Sequence, residues 1–384
     1  MPLVVEKAWD ETRLKRERLA LLQKQMQAHD IGALYLGEVN LRYVLNTKIP
    51  GGQVFVPAEG DPITFVQERD LGWVSQQGET RPRLQGNRSE EGDRHDQYRP
   101  FGYGIAGLME ECGVSGLPLG VDSLETGGVL ALQEAGVRLI DASVVMEQAG
   151  GIKTDDEVSI YRAIGKQYVH TFSAFRQAIR PGISENELAG VVHAAWFEAG
   201  GEEISQLNVC SGPNMNPWSR WPTQRPLDAS EFVGIDFHGR GSGGLRGDAS
   251  RTYFVGAQPT TEQRDLYRRG YDYLQRTADA IRAGRTYADV LDAVPEVPGT
   301  FRVLLDNYHI FHGIGMSYAE VPRVDRKIKK LDTVLVPNQV LAVESYFGEM
   351  GSPLAVKLEE MILVRDGAPE VLSGDVPYDE RFIG

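Results

Sequence analysis

The chain has 384 residues, 41% of them hydrophobic, with 40 basic and 54 acidic side chains and a formal charge of −14. That length suits two domains with substantial cores, and the acidic balance argues against nonspecific nucleic-acid or anionic-membrane binding. Only Cys112 and Cys210 are present, too few for a disulfide framework and too far apart for a metal-binding pair, and no run approaches the roughly 20 apolar residues of a membrane span.

In chain order, MPLVVEKAWDETRLKRERLALLQKQMQ lacks a signal-peptide core and reads as an amphipathic helix, with Leu19, Leu21, Leu22 and Met26 among charges. Cytoplasmic residence is therefore expected. IGALYLG, LRYVL, GGQVFVP and PITFVQ read as short strands broken by Gly and Pro, and polar residues 76–100 read as a long loop. Such a loop is either a solvated excursion or a cover for the active site of a neighbouring subunit. A domain boundary is expected near Gly150-Gly151, giving units 1–150 and 151–384. After it, Lys153-Thr154-Asp155-Asp156-Glu157 opens a long helix, EVSIYRAIGKQYVHTFSAFRQAI, which Arg180-Pro181-Gly182 ends. Ser184 with Glu187 forms a capping-box pattern for the next helix, ENELAGVVHAAWFEAGG.

Two β-prone runs follow, EFVGIDFHG and RGDASRTYFVG, joined by the glycine-rich Gly239–Gly244 stretch, so a hairpin can bring Asp236 and Asp248 to one site. A further helix, EQRDLYRRGYDYLQRTADAIRA, precedes YHIFHGIGM with His312, and a second strand pair carries Glu344 in QVLAVESYF and Glu359 in AVKLEEMILV. Lys357 and Glu359 share one face of the last strand. Taken singly, an Asp-turn-Asp hairpin is ordinary surface and a histidine beside glycine is ordinarily solvated. Glu344 is harder to dismiss. It follows the apolar run Val340-Leu341-Ala342-Val343, and a buried carboxylate is costly unless a cation compensates it. Four carboxylates and one imidazole, Asp236, Asp248, His312, Glu344 and Glu359, suit a pair of hard-to-borderline divalent cations that share bridging carboxylates. Trp218 and Trp221 interleave with Arg220 and Arg225 before the first of these strands, and Arg323 follows His312. Aromatic faces and guanidinium groups of this kind either line a substrate pocket or pack in the core or a dimer interface.

GIDFHGRGSGGLRGDASRT, FHGIGM, AVESYF and VKLEEMILV, with weaker support from LGEVNLRYVLNT and VVMEQAGGIKTDDEVSIYRAI, resemble the pita-bread metalloenzyme superfamily of aminopeptidase P, prolidase and creatinase type. The resemblance implies an α+β chain, with a pita-bread C-terminal catalytic domain preceded by a smaller creatinase-type α/β domain, and a homodimer acting on a small-molecule substrate. It also implies two divalent metal ions (Mn, Fe, Co or Zn). Asp236 would chelate one, His312 and Glu344 the other, and Asp248 and Glu359 would bridge them. The peptidase pattern is incomplete. Ala319 stands where proline-specific members carry a second histidine, SGPNMNPWSRWPTQRP has no histidine, and Ser345 replaces a proline. In these details the chain is similar to the dimethylsulfoniopropionate lyase branch, except that His238 replaces an aspartate and Tyr318 or Ala319 an acidic base. Hydrolysis of a small amide, imide or X-Pro-like bond, outside ordinary peptidase work, is the first expectation, and elimination from a small carboxylate is the second. A non-catalytic binding role is the third, and the intact ligand set opposes it. Candidates for proton transfer are His238, His309, Tyr318 and Glu320. Candidates for substrate contact are Trp218, Trp221 and Arg323.

Overall fold

The computed structural model describes residues 7–75, 83–84, 94–218, 220–256, 258–301, 309–316 and 320–383. The chain forms two compact units, Asp10–Gly150 and one built on Gly151–Gly384.

The N-terminal unit is a sheet of β1 (Ala33–Leu36), β2 (Gln53–Pro57), β3 (Ile63–Val66), β4 (Arg83–Leu84), β5 (Leu119–Val121) and β6 (Leu139–Asp141), in the order β4-β3-β2-β1-β5-β6. β1 is antiparallel to β2 and parallel to β5. Its apolar face, with Tyr35, Phe55, Ile63 and Leu119, shares a core with Ile105, Leu108 and Met109 of the Arg94–Glu111 helix. Two expectations are corrected here. LRYVL is not a strand but the end of the Glu38–Leu45 helix. Its β-branched and aromatic residues are overridden by the first turn, where Gly37 N–H and the Asn40 amide both donate to the Asp122 carboxylate at 2.9 and 2.8 Å, and Asn46 ends the helix at φ 51°. Within the expected loop at 76–100, Arg83–Leu84 pairs with β3 and residues 94–100 are already helical; the rest of that stretch lies outside the described residues.

The C-terminal unit is a largely antiparallel sheet of β7 (Glu203–Ser211), β8 (Glu231–Arg240), β9 (Arg246–Val255), β10 (Phe311–Gly313), β11 (Glu320–Val324), β12 (Val340–Gly348) and β13 (Ala355–Leu363), ordered β11-β10-β12-β13-β9-β8-β7, with β14 (Glu370–Val371) pairing β13. Helices Asp155–Ala178 and Glu185–Glu198 each begin with a complete capping box, Thr154/Glu157 and Ser184/Glu187. Each box satisfies backbone N–H groups that a helix start leaves unpaired. Tyr168 of the first helix stacks on Phe237 of β8 with centroids 4.5 Å apart, donates to Phe237 O at 2.9 Å and accepts from Gly239 N–H at 3.0 Å. That clamp fixes which residues of β8 turn toward the helix, so Asp236 and His238 turn the other way. On β12, the Ser345 hydroxyl donates to Gly270 O in the Thr261–Ala280 helix at 2.8 Å, and Glu344 therefore faces away from that helix.

Candidate metal centre

Strand register collects the charged residues on one face. Residues directly opposite in an antiparallel ladder project to the same side. His238 is opposite Asp248, Asp236 is opposite Ser250, Ser250 is opposite Glu359, and Glu359 is opposite Glu344. His312 of β10 is opposite Ala342, two residues from Glu344 along β12 and so on the same side. All five sequence-designated ligands thus meet, and none is more than 8% exposed.

Two donor atoms bound about 2.1 Å from one ion lie roughly 3.0–3.4 Å apart. His312 Nε2 is 3.6 Å from Asp248 Oδ2, 3.5 Å from Glu344 Oε1 and 4.0 Å from Glu359 Oε1, separations close to ligand edges and too long for hydrogen bonds. The other oxygen of Asp248, Oδ1, points elsewhere, to 3.2 Å from His238 Nε2, which is 3.8 Å from Asp236 Oδ1. Both of these Oδ1 atoms are buried and make no hydrogen bond. Buried carboxylate oxygens left this way are costly, and a cation relieves the cost. The residues therefore fit a metal group. The remaining bonds hold the ligands in position: Trp218 Nε1–H donates to Asp236 Oδ2 at 3.2 Å, and His312 Nδ1 lies 3.0 Å from Gly313 O, which leaves Nε2 to face the carboxylates.

Lys357 enters the same cluster. Its Nζ donates to Glu344 Oε2 at 2.8 Å and to Glu359 Oε2 at 3.4 Å while the residue is almost completely buried. Burial alone would drive the ammonium toward its neutral form, but Glu344 and Glu359 raise its pKa well above the ordinary lysine value. Burial likewise pushes Glu344 up, and Lys357, then His312, outweigh it and hold the carboxyl below the usual range. Asp248 and Glu359 are raised far above ordinary carboxylates by burial and by their acidic neighbours, and burial lowers His312 to about 4. One ammonium does not neutralise four carboxylates, and the cluster is starved of positive charge.

The other sequence candidates are placed variously. His309 lies at the edge, its Nδ1 4.0 Å from Glu344 Oε1 and its side chain 36% exposed, and with His312 and Glu344 it forms a possible ligand triad. Glu320 is buried with its carboxylate over Gly315 and 3.8 Å from Lys153 Nζ. Tyr318, like Ala319, lies outside the described residues. Arg323 is exposed on β11 opposite His312. Trp218 and Trp221 do not form a pair of pocket walls: Trp221 is 73% exposed, whereas Trp218 is buried with its polar atom committed to Asp236 and its ring against Gly234. Lys357 belongs to no metal-binding motif, and its two-residue spacing from Glu359 on β13 is the sequence signal that places it on the same face.

Known proteins are similar to this chain in sequence and in fold. A protein from Roseovarius nubinhibens named dimethylsulfoniopropionate lyase DddP is 26% identical over 294 residues, 74% of this chain and 65% of the lyase, just under two thirds of its length. A probable dipeptidase PepE of Mycobacterium tuberculosis is 28% identical over 262 residues, 65% of this chain and 66% of its own length. Among solved structures, an Xaa-Pro dipeptidase from Bacillus anthracis superposes with a TM-score of 0.78 at 22% identity, covering 95% of this chain and 99% of the other. Aminopeptidase P from E. coli gives 0.74 at 16% identity, covering 96% of each. These likenesses show the two-part fold, with the pita-bread domain in the C-terminal position. The profile of metallopeptidase family M24 matches residues 159–366, more than half of the sequence and the whole of the carboxylate–imidazole cluster, and the chain belongs to that family.

Proposed function

We propose that the C-terminal unit holds two divalent cations and acts on a small carboxylate-bearing substrate. The observation that carries this reading is Asp248, whose two oxygens face different donor groups, Oδ1 toward His238 and Asp236 and Oδ2 toward His312. Charge supports the count. Four carboxylates against the Lys357 ammonium leave three negative charges, which one divalent ion cannot balance. When bound, such ions polarise a carbonyl or carboxylate oxygen and make water more acidic. Asp236 would hold one ion and His312 with Glu344 the other, and Asp248 and Glu359 would contribute to both. Lys357 keeps Glu344 ionised and fixed, and Trp218 orients Asp236. His309, at the partly open edge beside Glu344, moves protons between site and solvent, and Arg323 on the exposed side of β10 pairs with the substrate carboxylate.

Hydrolysis of a small amide or imide bond is the reaction we assign first. Elimination is the second reading, favoured by the two relatives named dimethylsulfoniopropionate lyase. Proton NMR of reactions with Ala-Pro, Gly-Pro, cyclic amides and dimethylsulfoniopropionate separates them, because hydrolysis releases an amine and a carboxylate whereas elimination releases an alkene. Turnover of Ala-Pro or Gly-Pro at the level of a prolidase assayed in parallel would contradict the assignment away from ordinary X-Pro peptides. Absence of any metal-dependent turnover across the panel would count against both reactions.

A further inference from the structure

We propose that His238 is itself a metal ligand, so that the Asp236 half of the centre carries an imidazole just as the Glu344 half carries His312. The inference rests on the two-cation reading and extends it to a sixth residue.

The argument begins with β8. Phe237 is locked onto the Asp155–Ala178 helix by the Tyr168 stack and its two hydrogen bonds, so alternation along the strand directs both Asp236 and His238 to the opposite, carboxylate-bearing face. Register then places His238 directly across from Asp248, and its ring is buried, with only 6% of the residue exposed. Nε2 lies 3.2 Å from Asp248 Oδ1 and 3.8 Å from Asp236 Oδ1. A ring N–H directed at Asp248 would make a hydrogen bond at that distance, yet Asp248 Oδ1 makes none and neither does Asp236 Oδ1. Asp236, His238 and Asp248 also form one of the buried triads whose donor atoms all lie within 4.8 Å of one another. The chemical consequence is selectivity. An imidazole on each half favours Fe, Co or Zn over Mg or Ca, which prefer oxygen-only sets. It also removes His238 from the candidates for proton transfer, because its lone pair is engaged.

The test is titration of metal-free protein with Co(II), read by metal counting, visible absorption and Co(II)-shifted proton NMR. Wild-type protein is expected to take up two equivalents. His238→Ala and His238→Gln should bind one tightly and the other at least tenfold more weakly, with a changed visible spectrum. His238→Asp, which restores an oxygen donor, should recover the second equivalent with a spectrum unlike wild type. In a His309→Ala background, which needs no change at His238, two shifted imidazole N–H resonances are expected. A single one overturns the proposal even if the His238 variants fail to fold. Folded His238→Ala protein with both equivalents, both affinities and the spectrum unchanged overturns it as well. Wild-type protein that never takes up a second ion sinks the two-cation reading first, and this assignment with it.

Discussion

Replacing Lys357 by Met removes the ammonium and retains most of its volume, leaving the Glu344 and Glu359 carboxylates without the ammonium they share. Removing one partner from a buried ion pair costs about 3–5 kcal/mol, because the other partner stays buried and uncompensated. For a unit of this size each kcal/mol moves the transition by about 2–4 °C, so the metal-free variant should unfold roughly 6–20 °C lower at pH 8. The sign of the pH dependence follows from the two shifts. Glu344, depressed in the folded state, contributes stability above its unfolded pKa that is lost as pH falls through the folded one; Lys357, raised, contributes stability that is lost only as pH rises through its folded value. Both contributions are present at pH 8. In the variant, burial dominates at Glu344 and protonation relieves it, so the deficit should shrink at pH 5. Saturating divalent metal should shrink it too, by supplying the missing charge. Differential scanning calorimetry of EDTA-treated protein at both pH values, with and without added metal, gives all four numbers. An equal deficit under every condition would show that Lys357 acts by packing alone and would refute the electrostatic account.

Trp218→Phe keeps a ring against Gly234 but removes the N–H that holds Asp236 Oδ2; metal affinity measured by chelator competition should fall about 10–100-fold, with a stability loss of about 1 kcal/mol. Unchanged affinity would place the indole in packing only. In metal-free protein, burial should keep the His312 ring neutral until about pH 4, so its contribution to stability is complete above its ordinary pKa and is lost as pH falls through 4. Nitrogen-15 NMR reads this directly, and a midpoint near the ordinary histidine value would contradict it. Gly234→Ala would place a Cβ 2.7 Å from two Trp218 ring atoms, an overpacking expected to cost about 1–3 kcal/mol in chemical denaturation and to weaken metal binding by displacing the indole. A neutral outcome would mean the ring moves freely.

The clustering of these five side chains was legible because carboxylates in the middle of apolar strands have few alternatives to a cation, and because the fold's motifs are concentrated around them. What could not be read was pairing. A lysine on a strand ordinarily marks a solvated face. The β12–β13 register sets Lys357 opposite Tyr346 and two pairs along from Glu344 and Glu359, which places it on the cluster's face. The place of Trp218 was left open between pocket wall and core for a related reason: its burial and its donor on Asp236 depend on how residues 212–218 return to β8. In the N-terminal unit, the Asp122 carboxylate that fixes the Glu38–Leu45 helix comes from more than 80 residues away, beyond the reach of local propensity.

The central claim is that Asp248 joins two cation positions. The most direct measurement is metal content per chain after reconstitution with Co(II) or Mn(II) and removal of loosely held ions, for wild type and Asp248→Ala, which removes both oxygens, compared side by side. The account predicts two equivalents in the wild type and loss at both positions in the variant, because each oxygen of that carboxylate serves one ion. One equivalent in the wild type, or a variant that keeps one position at full affinity, would contradict it.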